Sequence, residues 1–165
     1  MKKNGFLISL LSLIGVVAIV VALFVPAWNL VIANEVIRDY GFFQNWGETF
    51  IGQLPDLNTT WAVLAMVSTL IALVALALFA LIALLQHFKV IKGWGGLMKL
   101  LAWISVLAFI AILAFGLVFT ISSDSSVAIG NSSIVNSMKF GAGYWLSLIG
   151  TGIGAFFALI STGSK

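Results

Sequence analysis

The chain has no cysteine, so it can form no disulfide and run no thiol chemistry; membrane thiol oxidoreductases built on four helices are excluded. It has a single histidine, His87, and only five acidic residues, Glu35, Asp39, Glu48, Asp56 and Asp124. A metal centre or an acid–base pair would need several of these to converge, and their scattered spacing gives no such cluster. Glu35 and Asp39, four apart, are the one pair that a helix would place on a common face, and a solvated negative loop accounts for them as well. Charge of either sign is scarce: 8% of the 165 residues are charged and 62% are hydrophobic, against roughly 25% and 45 to 50% in soluble domains. A water-soluble fold of this length could not hide so much apolar surface.

What the sequence does hold is four long uncharged runs. Phe6 to Val25, Trp61 to Leu85, Leu100 to Ile121 and Phe140 to Ile160 each approach or exceed the ~20 residues that cross a ~30 Å hydrocarbon core. Each crossing must be helical, because an open strand would leave backbone amides unpaired in lipid. The pattern predicts one transmembrane domain over 1–165. Its helices run over about 6–28, 61–85, 99–121 and 140–160, with outer loops 29–60 and 122–139 and a cytoplasmic loop 86–98. A cleaved leader is the rival reading of the first run, with Val31-Ile32-Ala33 before the cut, but the run is longer than the apolar core of such leaders.

Charge is sorted by side. Lys2, Lys3, Lys89, Lys92, Lys99 and Lys165 fall at the termini and the central loop, with no acid among them. Arg38 and Lys139 share the other two loops with all five acids. Basic residues mark the cytoplasmic side, so both termini are expected in the cytoplasm of a plasma-membrane protein. The same sorting rejects a nucleic-acid partner, the reading that a net charge of +3 invites in a soluble protein. No ionisable residue lies at the middle of a span. Proton relays, coupled-ion sites and voltage sensors depend on such groups and are therefore not expected.

Trp28, Trp61, Trp94, Tyr144 and Trp145 fall near predicted helix ends, where amphipathic rings favour the headgroup level. The first outer loop alternates apolar and aromatic segments with Asp39-Tyr40-Gly41 and Asn45-Trp46-Gly47, and short strands are expected in it. In the second, Gly130-Asn131 separates Val127-Ala128-Ile129 from Ser132-Ser133-Ile134-Val135, a hairpin signal. The fold class is thus an all-α membrane protein, a four-transmembrane-helix bundle with a small extracellular β-sheet formed by the two outer loops. Asn58-Thr59-Thr60 and Asn131-Ser132-Ser133 are sequons, making Asn58 and Asn131 possible glycosylation acceptors.

The fourth run has a face of small residues, Gly143, Ser147, Gly150, Thr151, Gly154, Ala155 and Ala158, at three- and four-residue spacing. Small side chains let helices approach closely where lipid removes the hydrophobic incentive, so this face is either a seam inside the bundle or a partner interface. The second run carries Ala62, Ala65, Thr69, Ala72, Ala80 and Ala83, and the third Ala102, Ser105, Ala108 and Ala111. Packing these faces together would leave Leu, Ile, Val and Phe toward lipid.

Several segments resemble the claudin, peripheral myelin protein and channel gamma-subunit superfamily, including its fungal eisosome-type relatives. Leu23-Phe24-Val25-Pro26-Ala27-Trp28 is similar to the Pro-x-Trp with which that family leaves its first helix. Asn136 to Gly141 resembles the segment by which claudins re-enter the membrane, and Gly143-Tyr144-Trp145-Leu146 suits the aromatic start of the fourth helix. Gly41-Phe42-Phe43 and Trp46 are similar to the Gly-Leu-Trp of loop one. The chain departs from the family in lacking the cysteine pair of that loop. The resemblance implies a non-enzymatic tetraspan that acts through protein–protein contact, as an auxiliary or structural subunit of a larger membrane assembly or in claudin-like lateral or adhesive assembly. Phe42, Phe43 and Trp46 are the outer-loop candidates, and the partners are the lipid bilayer and other membrane proteins or further copies of the chain. No cofactor is expected. The alternative is a small channel or transporter subunit with its path between protomers, lined by Ser9, Ser12, Ser68, Thr69, Ser105, Thr120, Ser147 and Thr151.

Overall fold

The structure, a computed structural model, describes residues 3–32, 35–42, 60–93, 95–123, 125–129 and 132–163. In chain order its elements are α1 (Lys3–Ala22), β1 (Trp28–Ile32), β2 (Glu35–Tyr40), α2 (Thr60–His87), α3 (Gly95–Ser122), β3 (Ser125–Ile129), β4 (Ser132–Phe140) and α4 (Ala142–Gly163). Three helices, α2, α3 and α4, are long and apolar enough to cross a membrane, and α1 adds the apolar segment Phe6–Ala22 within its 20 residues. Twenty residues of helix extend about 30 Å, so four transmembrane helices form the bundle.

The helices form a ring in chain order. α1 packs on α4 and α2, α3 packs on α2 and α4, and α2 meets α4 across the centre. Small residues fill the interior and large ones face out. Ala62, Ala65, Ala72, Ala83, Ala102 and Ala158 are buried, whereas Val67, Ile71, Val74, Leu107, Ile110 and Ile149 are exposed. In water this arrangement would be inverted; in lipid it is favourable, because the acyl chains solvate large apolar side chains and small ones permit close helix packing.

The first helix stops earlier than the run of hydrophobic residues does. α1 ends at Ala22, not near 28, and Leu23 to Ala27 turn before Trp28 opens β1. Pro26 explains the difference: it lacks an N–H for the helical ladder and disfavours helical backbone at the preceding residue. α2 and α3 overrun the expected limits, α3 beginning at Gly95, whereas α4 begins late, at Ala142, because Phe140 belongs to β4, and then runs on to Gly163.

All four strands join one open sheet in the order β2-β1-β4-β3, every pairing antiparallel. Each outer loop supplies one pair. Trp28 stands opposite Tyr40 on one side and Phe140 on the other. Ile129 pairs with Ser132, which leaves a two-residue connection at Gly130-Asn131, the site of the hairpin signal. The β1–β2 ladder slips between Leu30 and Val31, a bulge that lets Arg38 pair with Leu30 and Val36 with Val31. Because β1 leaves α1 and β4 enters α4, the central strand pair continues the α1–α4 helix pair beyond the bundle.

Candidate functional site

Two places in the molecule concentrate the residues that the sequence singles out: the α1–α4 seam, and the joint where that seam passes into the sheet. The small-residue face of α4 is spent inside the chain. Gly143, Ser147, Gly150, Thr151, Gly154 and Ala158 are all buried. A methyl group on Gly15 of α1 would strike the Gly150 carbonyl oxygen and lie 2.8 Å from Gly154 Cα, so the two backbones run against each other there. Gly150 in turn faces Ala18 and Ile19, Gly154 faces Leu76 of α2, and Gly143 faces the carbonyls of Ala22, Val25 and Pro26. At the far end of the seam Ser9 Oγ donates to Ser161 Oγ at 2.9 Å, both side chains being buried.

The joint is tied by backbone hydrogen bonds. Ala27 N donates to Tyr40 O at 2.7 Å, Gly141 N to Ala27 O at 2.8 Å, and Gly143 N to Pro26 O at 2.8 Å. Glycine at 141 is required by close approach, since a side chain there would meet the Pro26 carbonyl. Above these bonds sits an aromatic cluster. Trp28 packs edge-on against Phe42 and Phe119, each at 5.3 Å between ring centroids, and obliquely against Tyr144 at 6.1 Å. Tyr144 stacks on Phe140 at 4.2 Å. Its ring lies over Gly116, where any side chain would collide with it, and its hydroxyl donates to Ile112 O at 3.1 Å. One residue thereby links α4 to α3 and to the sheet.

This corrects the placement of two aromatic residues. Trp28 and Tyr144 lie where the bundle meets the sheet but are fully buried, so their rings are enclosed by protein and not offered to headgroups. Trp145 is about half exposed, at 48%, and Trp61 is partly buried and stacked on Phe115; Trp94 lies outside the described residues. Phe42 is also core, packed on Trp28, so its ring is not presented to a partner. Phe43, Trp46, Asn58 and Asn131 lie outside the described residues. Glu35 and Asp39 are both exposed on β2, an extended strand, and share no helical turn. Among the described residues no group of three or more His, Cys, Asp or Glu could hold a metal ion.

The buried hydroxyls satisfy themselves. Ser12 donates to Ser9 O, Ser68 to Leu64 O, Thr69 to Ala65 O, Ser105 to Leu101 O, Ser147 to Tyr144 O and Thr151 to Ser147 O, all within their own helices. Each saturates its donor on a carbonyl of the preceding turn, so these groups add polarity without lining a path. They also lie inside the protomer, while Thr120, partly buried, donates to Gly116 O and Leu117 O, and the large exposed side chains of the spans are Leu, Ile, Val, Phe and Trp.

The ends of the bundle differ chemically. The sheet end holds Glu35, Asp39 and Lys139, and the opposite end gathers the start of α1, the turn between α2 and α3, and the end of α4. There Phe6 stacks on His87 at 3.7 Å, clasping α1 to α2, and Lys89, Lys92 and Lys99 are exposed. Sequence reasoning missed the Tyr144–Gly116 contact and the Phe6–His87 clasp. Gly116, the one glycine of the Ala- and Leu-rich α3 beyond its first turn, was the available signal for the first; nothing local announced the second. Comparison with protein-family models, with curated proteins and with solved structures finds no match, and the architecture stands as a tetraspan-type membrane fold with a small open sheet.

Proposed function

We propose that this protein is a non-catalytic tetraspan that works by contact with other membrane proteins, as an auxiliary or structural subunit of a larger assembly in the plasma membrane. The observation that carries this reading is the internal use of every polar and small-residue face described in the spans. Most buried hydroxyls bond their own helices, Ser9 bonds Ser161 across the seam, and the glycines of α4 close on α1, leaving a lipid-facing surface that is largely apolar. Partner choice then falls to the sheet end, which carries the acids and the long first loop. The likeness to claudin-type tetraspans supports the same reading, since Pro26-Ala27-Trp28, Gly141 and Tyr144 all meet at the joint. A channel path between protomers fits less well, because seven of the eight candidate lining hydroxyls are buried, all but Thr120.

The reading places both termini in the cytoplasm and the sheet outside, on the charge sorting alone. A chain without native cysteine makes this easy to test. Glu35→Cys should react with a membrane-impermeant maleimide on intact cells, and Lys92→Cys only after permeabilisation; the reverse pattern would invert the topology. Native mass measurement of the chain extracted in mild detergent should give a complex with a second protein or with further copies. A strictly monomeric species that turns over a substrate unaided would end the proposal.

A further inference from the structure

We propose that the turn joining α2 to α3, with the first turn of α3, is a docking surface for anionic phospholipid headgroups. α2 closes in a reverse turn in which Val90 N donates to Leu85 O at 3.0 Å and Lys89 N to Gln86 O at 3.1 Å. Lys89 occupies the left-handed position of this turn, with φ of 60°, where glycine is usual. Phe88 and Val90 on either side of it are 70% and 67% exposed. Lys92 follows, exposed, and Lys99 is exposed at the start of α3 with the exposed Trp103 one turn further along the same face.

Three cations and the apolar side chains of Phe88 and Val90 therefore share one end of the bundle, with Trp103 a turn deeper along α3. No acidic residue occurs in the sequence between Asp56 and Asp124, so this segment supplies its lysines with no counter-charge of its own. The described acids, Glu35 and Asp39, lie in the sheet at the other end. A soluble anion would neutralise the lysines and leave Phe88 and Val90 in water. A phospholipid answers both needs, because its phosphate reaches the amino groups while the apolar side chains enter the acyl boundary. The proposal concerns headgroup chemistry and holds whichever leaflet this end occupies. It is also independent of the protein-contact reading above, which rests on the spans and the sheet.

The test uses the purified full chain in non-ionic detergent, with bound lipid counted by native mass spectrometry during titration with phosphatidylglycerol or with phosphatidylcholine of the same acyl chains. Phosphatidylglycerol should bind about tenfold more tightly or better, and the preference should shrink as salt rises from about 50 to about 500 mM. Lys89→Gln, Lys92→Gln and Lys99→Gln combined should reduce phosphatidylglycerol binding to the phosphatidylcholine level with the helical circular dichroism unchanged. Equal binding of the two lipids by the natural chain overturns the proposal, as does a triple variant that keeps the preference. Displacement of the lipid by an equimolar amount of inorganic phosphate overturns it too, and assigns the lysines to a free anion. Should the triple variant fail to fold, the headgroup and salt comparisons on the natural chain decide the matter.

Discussion

The two helix pairs that make the bundle are held together by different means. α2 and α3 are consecutive, 28 residues each, and joined by a short turn, so their pairing is enforced by the chain itself. Their buried faces are alanine with a few large residues such as Leu76, Phe79 and Ile112, and the hydroxyls of Thr69 and Ser105 stay on their own helices. α1 and α4 lie at opposite ends of the sequence, and no turn brings them together. There the backbones meet at Gly15, Gly150 and Gly154, a serine pair bridges the helices, and the ladder between β1 and β4 prolongs the contact. Closing a long loop has an entropic cost, and lipid supplies no hydrophobic drive between helices. The remote pair must therefore be specified by shape and hydrogen bonds, while the adjacent pair can rely on connectivity.

The largest effect should come from blocking the remote seam. In an isolated helix Gly→Ala gains about 1 kcal/mol of helix propensity, but at Gly15 the added methyl meets the Gly150 carbonyl and neither backbone can yield cheaply. Gly15→Val is expected to cost about 3 kcal/mol or more, whereas Ala108→Val, in the buried face of α3, should cost about 1 to 2 kcal/mol. Unfolding of both variants in mixed micelles with increasing dodecyl sulfate, followed by circular dichroism, gives the ranking. Equal losses would erase the distinction drawn between the pairs.

A second expectation concerns Tyr144, whose side chain crosses from one pair to the other. Gly116→Ala puts a methyl into the Tyr144 ring and should cost about 2 kcal/mol, while Tyr144→Phe keeps the ring and loses only the bond to Ile112 O, about 1 kcal/mol. In a Tyr144→Leu background the Gly116→Ala penalty should fall by more than half, since the colliding atoms are gone. Full additivity of the two changes would mean that the contact does not couple the pairs.

How much of this was legible in the sequence follows the same division. The spans, their order and the sheet were readable because each depends on local composition: uncharged runs of transmembrane length, and Gly130-Asn131 between two β-type segments. The seam was half legible. The spacing from Gly143 to Ala158 announced a close-packed face, but whether α1 or a foreign helix would fill it is decided by Gly15, the one glycine in the middle of Leu- and Val-rich α1. That Trp28 and Tyr144 are enclosed and not headgroup-facing was illegible, because hydropathy carries helix one through Pro26 and conceals the strand beside them. The aromatic joint joins residues 28, 42, 119 and 144, separations at which no local pattern operates.

The turn between α2 and α3 offers a change in the opposite direction. Lys89 holds a left-handed backbone that costs a non-glycine residue energy, and its side chain is exposed. Lys89→Gly should raise stability by up to about 1 kcal/mol in the same unfolding assay. If lysine is kept there for a headgroup, the variant should gain stability and lose anionic-lipid binding together. A variant that gains nothing would show that the turn relaxes before the bundle unfolds.

The smallest expected effect tests the hydroxyl bridge of the remote pair. Ser9 donates to Ser161, while Ser12 returns to the Ser9 carbonyl, so one serine of the α1 stripe crosses to α4 and its neighbour does not. Interhelical hydrogen bonds of this kind average about 0.6 kcal/mol in membranes, because the separated helices also find partners for their polar groups. A double-mutant cycle over Ser9→Ala and Ser161→Ala should return a coupling of about that size, and a cycle over Ser12→Ala and Ser161→Ala should return nearly none. The contrast matters more than the magnitude. If both serines couple equally to Ser161, the bridge is a general effect of buried polarity, and the specificity of the α1–α4 pairing rests on the glycines and the strand ladder alone.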